Sequence, residues 1–369
     1  MAQATDSRER VRRDVVRLVH RALRAEDFTR AVTRTLRRTV PFDGTCLVTM
    51  DPATLLPTGD VVDNGLPPDA VVRLSDIELR EPDFNKFTAL ARAPRPAASL
   101  SGATSGDLDR SIRQRELRRP SGFEDELRVV CSDATGTWGA LTLLREANRP
   151  HFTPADVRFV ASLAEMLADG LRRAVVLADT AAESATSDAG LLVLGPDDAV
   201  TMANSSADIW LDELGVERRD GARLPVAVRA VAQRAWATVE GGVDPGPARA
   251  RLRTRAGRWV VVRGSLLGDG PGSRVAILME TARPPELAPL IADAYGLTGR
   301  ERLVTELVAR GFPTNEIAQR LKLSAYTVQD HLKSIFDKMG AGSRGDLVAR
   351  LFIDHYAPRL TSAEDSRRT

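Results

Sequence analysis

At 369 residues the chain is long enough for two or three domains. Its 43% hydrophobic content excludes a disordered chain. A net charge of only +2 excludes a polycation, so any nucleic-acid surface has to be local. Two cysteines, Cys46 and Cys131, lie far apart with no CxxC, which rules out a disulfide framework and argues against a metal centre. They read as two buried small side chains. The start, MAQATDSRERVRRDVV, lacks the apolar stretch of a secretory leader. No run approaches the roughly 18 apolar residues that span a membrane. The expected location is the cytoplasm.

Residues 8–39 follow a helical pattern, with Val11, Val15, Leu18, Val19 and Leu23 at three- and four-residue steps. CLVTMD (46–51), ELRVVCSD (126–133) and WGALTLLRE (138–146) read as strands. Residues 80–123, rich in Arg, Pro, Ser and Gly, predict long loops and one helix. A long helix over 154–178 is expected next, with Thr153 as N-cap, Pro154 at its first position and Asp156 completing a capping box. Val157, Val160, Leu163, Ala164, Leu167 and Leu171 form its apolar stripe, which suits pairing with a second copy. Strands between an opening and a closing helix make an α+β domain over 8–178.

TAAESATSD (180–188) reads as a joint. Beyond it, two short strands flank the turn Gly195-Pro196-Asp197-Asp198, and Asn204 or Ser205 caps a helix. A second helix covers 228–240. ARARLRT, RWVVVRGSLL and RVAILME then alternate as three antiparallel strands. This is a second, smaller α+β domain over 188–281. RPPELAP (283–289) reads as a stiff, proline-rich break.

From Leu290 the pattern is helical only. Thr298 caps a helix with Glu301 at its third position, and Gly311 ends it. Thr314 is expected to cap a short helix that buries Ile317, Ala318 and Leu321. After a tight turn at Lys322-Leu323, Ser324 caps a helix with the stripe Val328, Leu332, Ile335, Phe336 and Met339, ending at Gly340. Ser343 starts a last helix carrying Leu347, Val348, Leu351 and Phe352. Two short helices joined by a three-residue turn make a helix-turn-helix. Tyr326, Gln329, Asp330 and Lys333 fall opposite the stripe of its second helix. Periodicity alone favours a merely solvated face there. A base-reading face is the sharper alternative: Gln can pair with adenine, Lys with guanine or phosphate, and Asp can accept from cytosine.

The segment LTGRERLVTELVARGFPTNEIAQRLKLSAYTVQDHLKSIFDKMGAGSRGDLV closely resembles the LuxR/FixJ-type DNA-binding domain, through LTxRE, NEIAxxLxLS, TVxxHLxxIFxKxG and the SR before the last helix. The resemblance implies a four-helix domain over 290–357 that binds double-stranded promoter DNA. By position it makes Gln329, Asp330 and Lys333 base-facing. It makes Thr314, Asn315, Ser324, Thr327 and Arg344 phosphate contacts or caps. It gives the last helix, through Leu347, Val348, Leu351 and Phe352, to a homodimer. Gln329 departs from the lysine frequent in the family and Asp330 follows it, so non-specific phosphate attraction is expected to be weak. AGLLVLGPDDAVTMANSSA resembles a PAS opening, and residues 8–178 resemble a GAF domain in strand and helix order. Both imply sensory domains with an unidentified small-molecule ligand.

Other motifs point to no chemistry. The glycines of LLGDGPGSRVAIL precede a strand rather than a helix, which makes a hairpin loop and not a phosphate loop. His20, His151, His331 and His355 are scattered, with no metal-ligand spacing. No GxSxG is present. The expectation is therefore a multidomain, non-enzymatic transcriptional regulator without cofactor or metal. The rival is a sensor or scaffold whose helical end binds a protein instead of DNA.

Overall fold

The computed structural model describes residues 2–21, 23–67, 70–176, 188–196, 198–215, 224–238, 246–268, 272–348 and 350. The chain divides into two compact units. The larger holds residues up to 178, 186–255 and 260–281, and the smaller consists chiefly of residues 282 onward.

In the larger unit the apolar positions read as one opening helix form two, α1 (Ala2–Val19) and α2 (Ala25–Leu36). A turn from Arg21 N–H to the Leu18 carbonyl closes the first. The first sheet contains β1 (Gly44–Met50), β2 (Pro57–Asp63), β3 (Ala97–Ser99), β4 (Phe123–Asp133) and β5 (Gly136–Glu146). They lie in the order β2-β1-β5-β4-β3, every pair antiparallel. Around them the chain makes α3 (Ala70–Leu79), α4 (Phe87–Leu90), α5 (Leu100–Ala103) and two tight helical turns at Leu108–Arg110 and Gln114–Arg118.

Register decides what each face of this sheet does, because neighbours in a strand point to opposite sides. One face carries Leu47, Leu141, Leu143, Leu127 and Val129, all buried. The other carries the row Val62–Cys46–Thr142–Arg128 and, beside it, Asp60–Val48–Ala140–Val130. The cysteines thus sit on opposite faces of strands that β5 separates, Cys131 buried and Cys46 half-buried, and both are free.

The expected long helix over 154–178 is two, α6 (Pro154–Ala161) and α7 (Ala164–Val176). Ser162 breaks it: its hydroxyl donates to the Phe159 carbonyl, and Leu163 N–H closes a three-residue turn on Val160. The Thr153–Asp156 capping box forms as read. The stripe does not wait for a second copy, since Val160, Leu163, Leu167 and Leu171 are fully buried inside their own unit. Gly170 lets α7 lie tightly against α2, for a Cβ there would come within 2.1 Å of the Phe28 ring.

The second sheet holds β6 (Gly190–Leu194), β7 (Val200–Ala203), β8 (Arg249–Arg253), β9 (Trp259–Leu267) and β10 (Arg274–Thr281) in the order β7-β6-β10-β9-β8. The antiparallel β9 and β10 flank the expected glycine loop, of which 269–271 lie outside the described residues. Alternate residues Leu192, Leu194, Val260, Val262, Ile277 and Met279 pack on α8 (Ser205–Glu213) and α9 (Val226–Ala237). Asn204 caps α8 by accepting from Ala207 N–H at 2.9 Å, and its amide also ties the start of β6 through Leu191 N–H and the Ala189 carbonyl. A buried pair joins the two sheets: Arg251 of β8 donates from Nε and Nη2 to Asp51, just past β1, at 2.9 and 2.6 Å.

The smaller unit begins with α10 (Pro284–Ala294), so the proline-rich stretch read as a break is the start of a helix. Prolines at the first helical positions lose no bond, since those N–H groups have no partner in any helix. Glu286 accepts from Arg283 N–H at 2.9 Å to close the end. Next come α11 (Gly299–Ala309), α12 (Thr314–Leu321) and α13 (Ala325–Met339). Residues 344–348 and 350 are helical after them. Among the described residues no helix is long and apolar enough to cross a membrane.

Candidate nucleic-acid interface

The second helix of the pair is fixed by its capping and its core. Lys322 ends α12 in the left-handed region at φ 55°. Leu323 N–H then reaches back to the Ala318 carbonyl at 2.9 Å, so the chain reverses within three residues. Ser324 caps α13, its hydroxyl accepting from Thr327 N–H at 3.0 Å and lying 2.8 Å from the Thr327 hydroxyl. Val328, Leu332, Ile335 and Met339 are buried, and Phe336 is half-buried. With that stripe turned inward, Gln329, Asp330 and Lys333 are exposed on the far side. Tyr326 stands 73% exposed at the helix start. Four side chains able to reach outward therefore occupy the first three turns of one rigid helix.

The supporting residues divide. Thr314 was expected to cap α12, but Pro313 holds the cap position with extended backbone and Thr314 is the first helical residue. Proline supplies the extended φ that a cap needs and has no hydroxyl to offer, so no side-chain cap forms. Asn315 and Ser324 are exposed, and Thr314 and Thr327 are half-buried. Arg344 donates through Nη2 to the Phe312 carbonyl, which clasps the last helix to the end of α11. Ser343 caps that last helix by accepting from Asp346 N–H at 3.1 Å. Leu347 is fully buried and Val348 half-buried within the unit. Leu351 and Phe352 lie outside the described residues.

Glu301 has a larger part than capping. It accepts from Thr298 N–H at 2.6 Å, from the Ser334 hydroxyl at 2.7 Å and from Lys338 at 2.7 Å. Burial pushes its carboxyl up, but Lys338, Ser334 and the Thr298 bonds outweigh it and bring the pKa down to about 2. This one carboxylate locks α13 against α11 and so sets the angle at which the exposed face is presented. Periodicity alone misses it. The available signal is that Ser334 and Lys338 are four residues apart, on one side of α13. Arg320, stacked 4.0 Å over the Phe312 ring and bonded to Glu316, is likewise held in place.

Residues 296–351 match the model of the bacterial regulatory proteins of the luxR family. The transcriptional regulatory protein DesR of Bacillus subtilis is 33% identical over 96 residues, which cover 24% of this chain and 48% of DesR. The spore germination protein GerE of the same organism is 40% identical over 55 residues, 15% of this chain and 74% of GerE. The tetrathionate response regulatory protein TtrR of Salmonella typhimurium is 41% identical over 54 residues, 15% of this chain and 26% of TtrR. The chain thus spans about half of DesR and about a quarter of TtrR. A bacteriophytochrome from R. palustris shares 14% identity over 78% of this chain and 73% of its own, with a TM-score of 0.32, too low to carry an argument about the larger unit.

Proposed function

Since the chain belongs to the luxR family of bacterial regulatory proteins, we propose that it is a transcriptional regulator whose α13 reads promoter DNA in the major groove. The observation that carries this reading is the exposed set Tyr326, Gln329, Asp330 and Lys333 opposite the buried Val328, Leu332, Ile335 and Met339. Gln329 suits adenine, Lys333 guanine or a phosphate, and Asp330 the amino group of cytosine. Thr314, Asn315, Ser324 and Thr327 line the entry of the helix pair, where hydroxyl and amide groups contact phosphates. Arg344 positions the unit rather than reading sequence.

The larger unit governs this reading in the proposal. Residues 8–178 serve as a GAF-like and 188–281 as a PAS-like sensory domain, with 290–357 as the output domain of a cytoplasmic homodimer. Dimerisation would use Val348, Leu351 and Phe352. Leu347 is already committed to its own unit's core.

Selection of bound fragments from random duplex DNA by the full chain, followed by footprinting, tests the reading. An enriched motif with two half-sites about one helical turn apart supports a dimeric reader. Binding without any enriched sequence, or no binding, abandons it in favour of a scaffold that contacts protein.

A further inference from the structure

The larger unit contains a cavity of about 120 Å³ between the first sheet and α3–α4. Its walls are apolar: Val48 and Met50 from β1, Leu74 and Leu79 from α3, and Phe87 from α4. Val48, Leu74 and Phe87 are only half-buried although each lies between a sheet and a helix, so the space is open to a guest. The volume is of the order that holds a benzene-sized molecule.

One end of this apolar space is charged. Arg118 is 3% exposed and lines the cavity. Its Nε donates to Glu126 Oε2 at 3.1 Å. Among the described residues its two terminal nitrogens have no hydrogen-bond partner. Burial lowers the guanidinium pKa, Arg113 and Arg128 lower it further, and Glu126 opposes them.

The neighbouring charges are largely committed, although Arg128 Nε has no hydrogen-bond partner. Glu126 Oε1 takes two bonds from Arg113, at 3.0 and 2.5 Å. Glu78 accepts from Phe87 N–H at 2.6 Å and from Arg128 at 2.8 Å. Arg128 Nη1 also bonds the Asn85 carbonyl at 2.9 Å, and its guanidinium lies 3.8 Å over the Phe87 ring. Asp60, on the wall across the sheet, keeps an exposed edge, although burial pushes its carboxyl up. The remaining polar groups of the row are the Thr142 hydroxyl and the Cys46 thiol, the latter pushed up to about 12 by burial and by Asp60. A neutral thiol adds no charge to the site. Arg118, with both terminal nitrogens unused, and Arg128, whose Nε has no hydrogen-bond partner, are the buried cations at this end, and planar donors of that kind match a carboxylate.

We propose that this cavity binds a small monocarboxylic acid with a compact branched or aromatic body, the carboxylate on Arg118 and the body among Val48, Leu74 and Phe87. An amine would face two buried cations, Arg118 and Arg128, across an apolar space.

The test is calorimetric titration of the full chain with isovalerate and benzoate, against isovaleramide, benzamide and isoamylamine of matching shape. The expected result is saturable binding of at least one acid, tighter than its amide by about ten-fold, as loss of a charge-assisted bond implies. Arg118→Gln should abolish that preference. The change leaves Glu126 with Arg113 bonded and Arg128 at 3.7 Å, so its charge stays compensated. Leu74→Trp, which fills the space, should abolish binding altogether. Equal affinity for acid and amide, preference for the amine, or no heat from any probe overturns the assignment with the unaltered protein alone. The readout is heat of binding and not DNA, so failure here leaves the DNA-reading proposal where it stands.

Discussion

On α13 of the smaller unit, Gln329, Asp330 and Lys333 stand in solvent on a helix whose opposite side is packed. In the larger unit, Arg113, Arg118, Arg128 and Glu126 are withdrawn from solvent and committed to one another beside an apolar space. The first arrangement keeps polar groups hydrated until something with matching edges arrives. The second has already lost their hydration, so the groups must be satisfied internally or by a small guest. Substitutions should therefore separate cleanly. Those in the interior network change stability, and those on the α13 face change recognition while leaving stability alone.

The largest effect is expected at Glu126. It is fully buried among three arginines. Burial alone would raise its pKa, but Arg113, Arg128 and Arg118 outweigh that and hold it far below the usual carboxylate range. Glu126→Ala strands those cations and should cost about 3–5 kcal/mol, the usual penalty for removing one partner of a buried charge set. Chemical unfolding followed by hydrogen exchange of the β4–β5 peptides measures it. A loss within about 0.5 kcal/mol, the range of ordinary surface changes, would show that the network carries no such weight.

Glu301 comes next, and it joins the two halves of the comparison because a partly interior carboxylate aims an exterior face. Its pKa falls from an ordinary 4.5 to about 2 in the folded unit. A carboxylate depressed in this way stabilises fully above its unfolded pKa, and the contribution disappears as pH drops from about 4.5 toward 2. Glu301→Gln should cost roughly 2–3 kcal/mol at neutral pH by the same linkage. Hydrogen exchange in α11 and α13, read at pH 7 and again near pH 3, checks both statements. The variant and the parent should differ clearly at the first pH and by less than half as much at the second, because the folded pKa of about 2 keeps part of the contribution in place there.

How much of this could be read from the residues varies with where the information resides. Capping chemistry is local, so Thr153–Asp156, Thr298–Glu301 and the Ser324 cap were all legible. So were the central strands β4 and β5, whose residues are buried almost throughout. The edge strand β2, PTGDVVD, was not, because a half-exposed edge needs no apolar alternation. The division between α6 and α7 depends on one hydroxyl, Ser162, turning back to a carbonyl, which periodicity does not register. Prolines 284, 285 and 289 suggested a break, yet the first two fill positions where a helix has no bond to lose. Of the candidate site, the outward face of α13 was legible because it follows from one helix and its stripe. The cavity was not, since Cys46, Leu74, Arg118 and Thr142 come together only through strand register and helix packing.

On the reading face, Lys333→Ala and Gln329→Ala should each weaken binding to a selected site by about 1–3 kcal/mol while leaving thermal stability unchanged, as a lost bidentate base contact does. Fluorescence anisotropy against the selected site and single-base variants distinguishes the two roles. A residue that reads a base loses discrimination at one position. A residue that touches only phosphate weakens all sequences alike. Uniform weakening by both would leave Tyr326 and Asp330 as the groups that set preference.

The smallest effect is expected at Asp330, and its sign is opposite. This carboxylate lies exposed on the same face as Lys333, in a helix whose task in the proposal is to approach a polyanion. Between exposed charges the Coulomb energy at contact distance is only about 1 kcal/mol in water, and salt screens it further. Asp330→Asn should therefore tighten binding to random duplex DNA by a few-fold at low salt, with the gain fading as ionic strength rises. Binding to the selected site should gain less, or fall, where Asp330 accepts from a cytosine amino group, because asparagine brings donors to a position that needs an acceptor. Measuring both DNAs across a salt series separates the two roles of the residue. Equal gains on both would make Asp330 a plain electrostatic brake, whereas a gain on random DNA with a loss on the selected site would make it a reader of sequence.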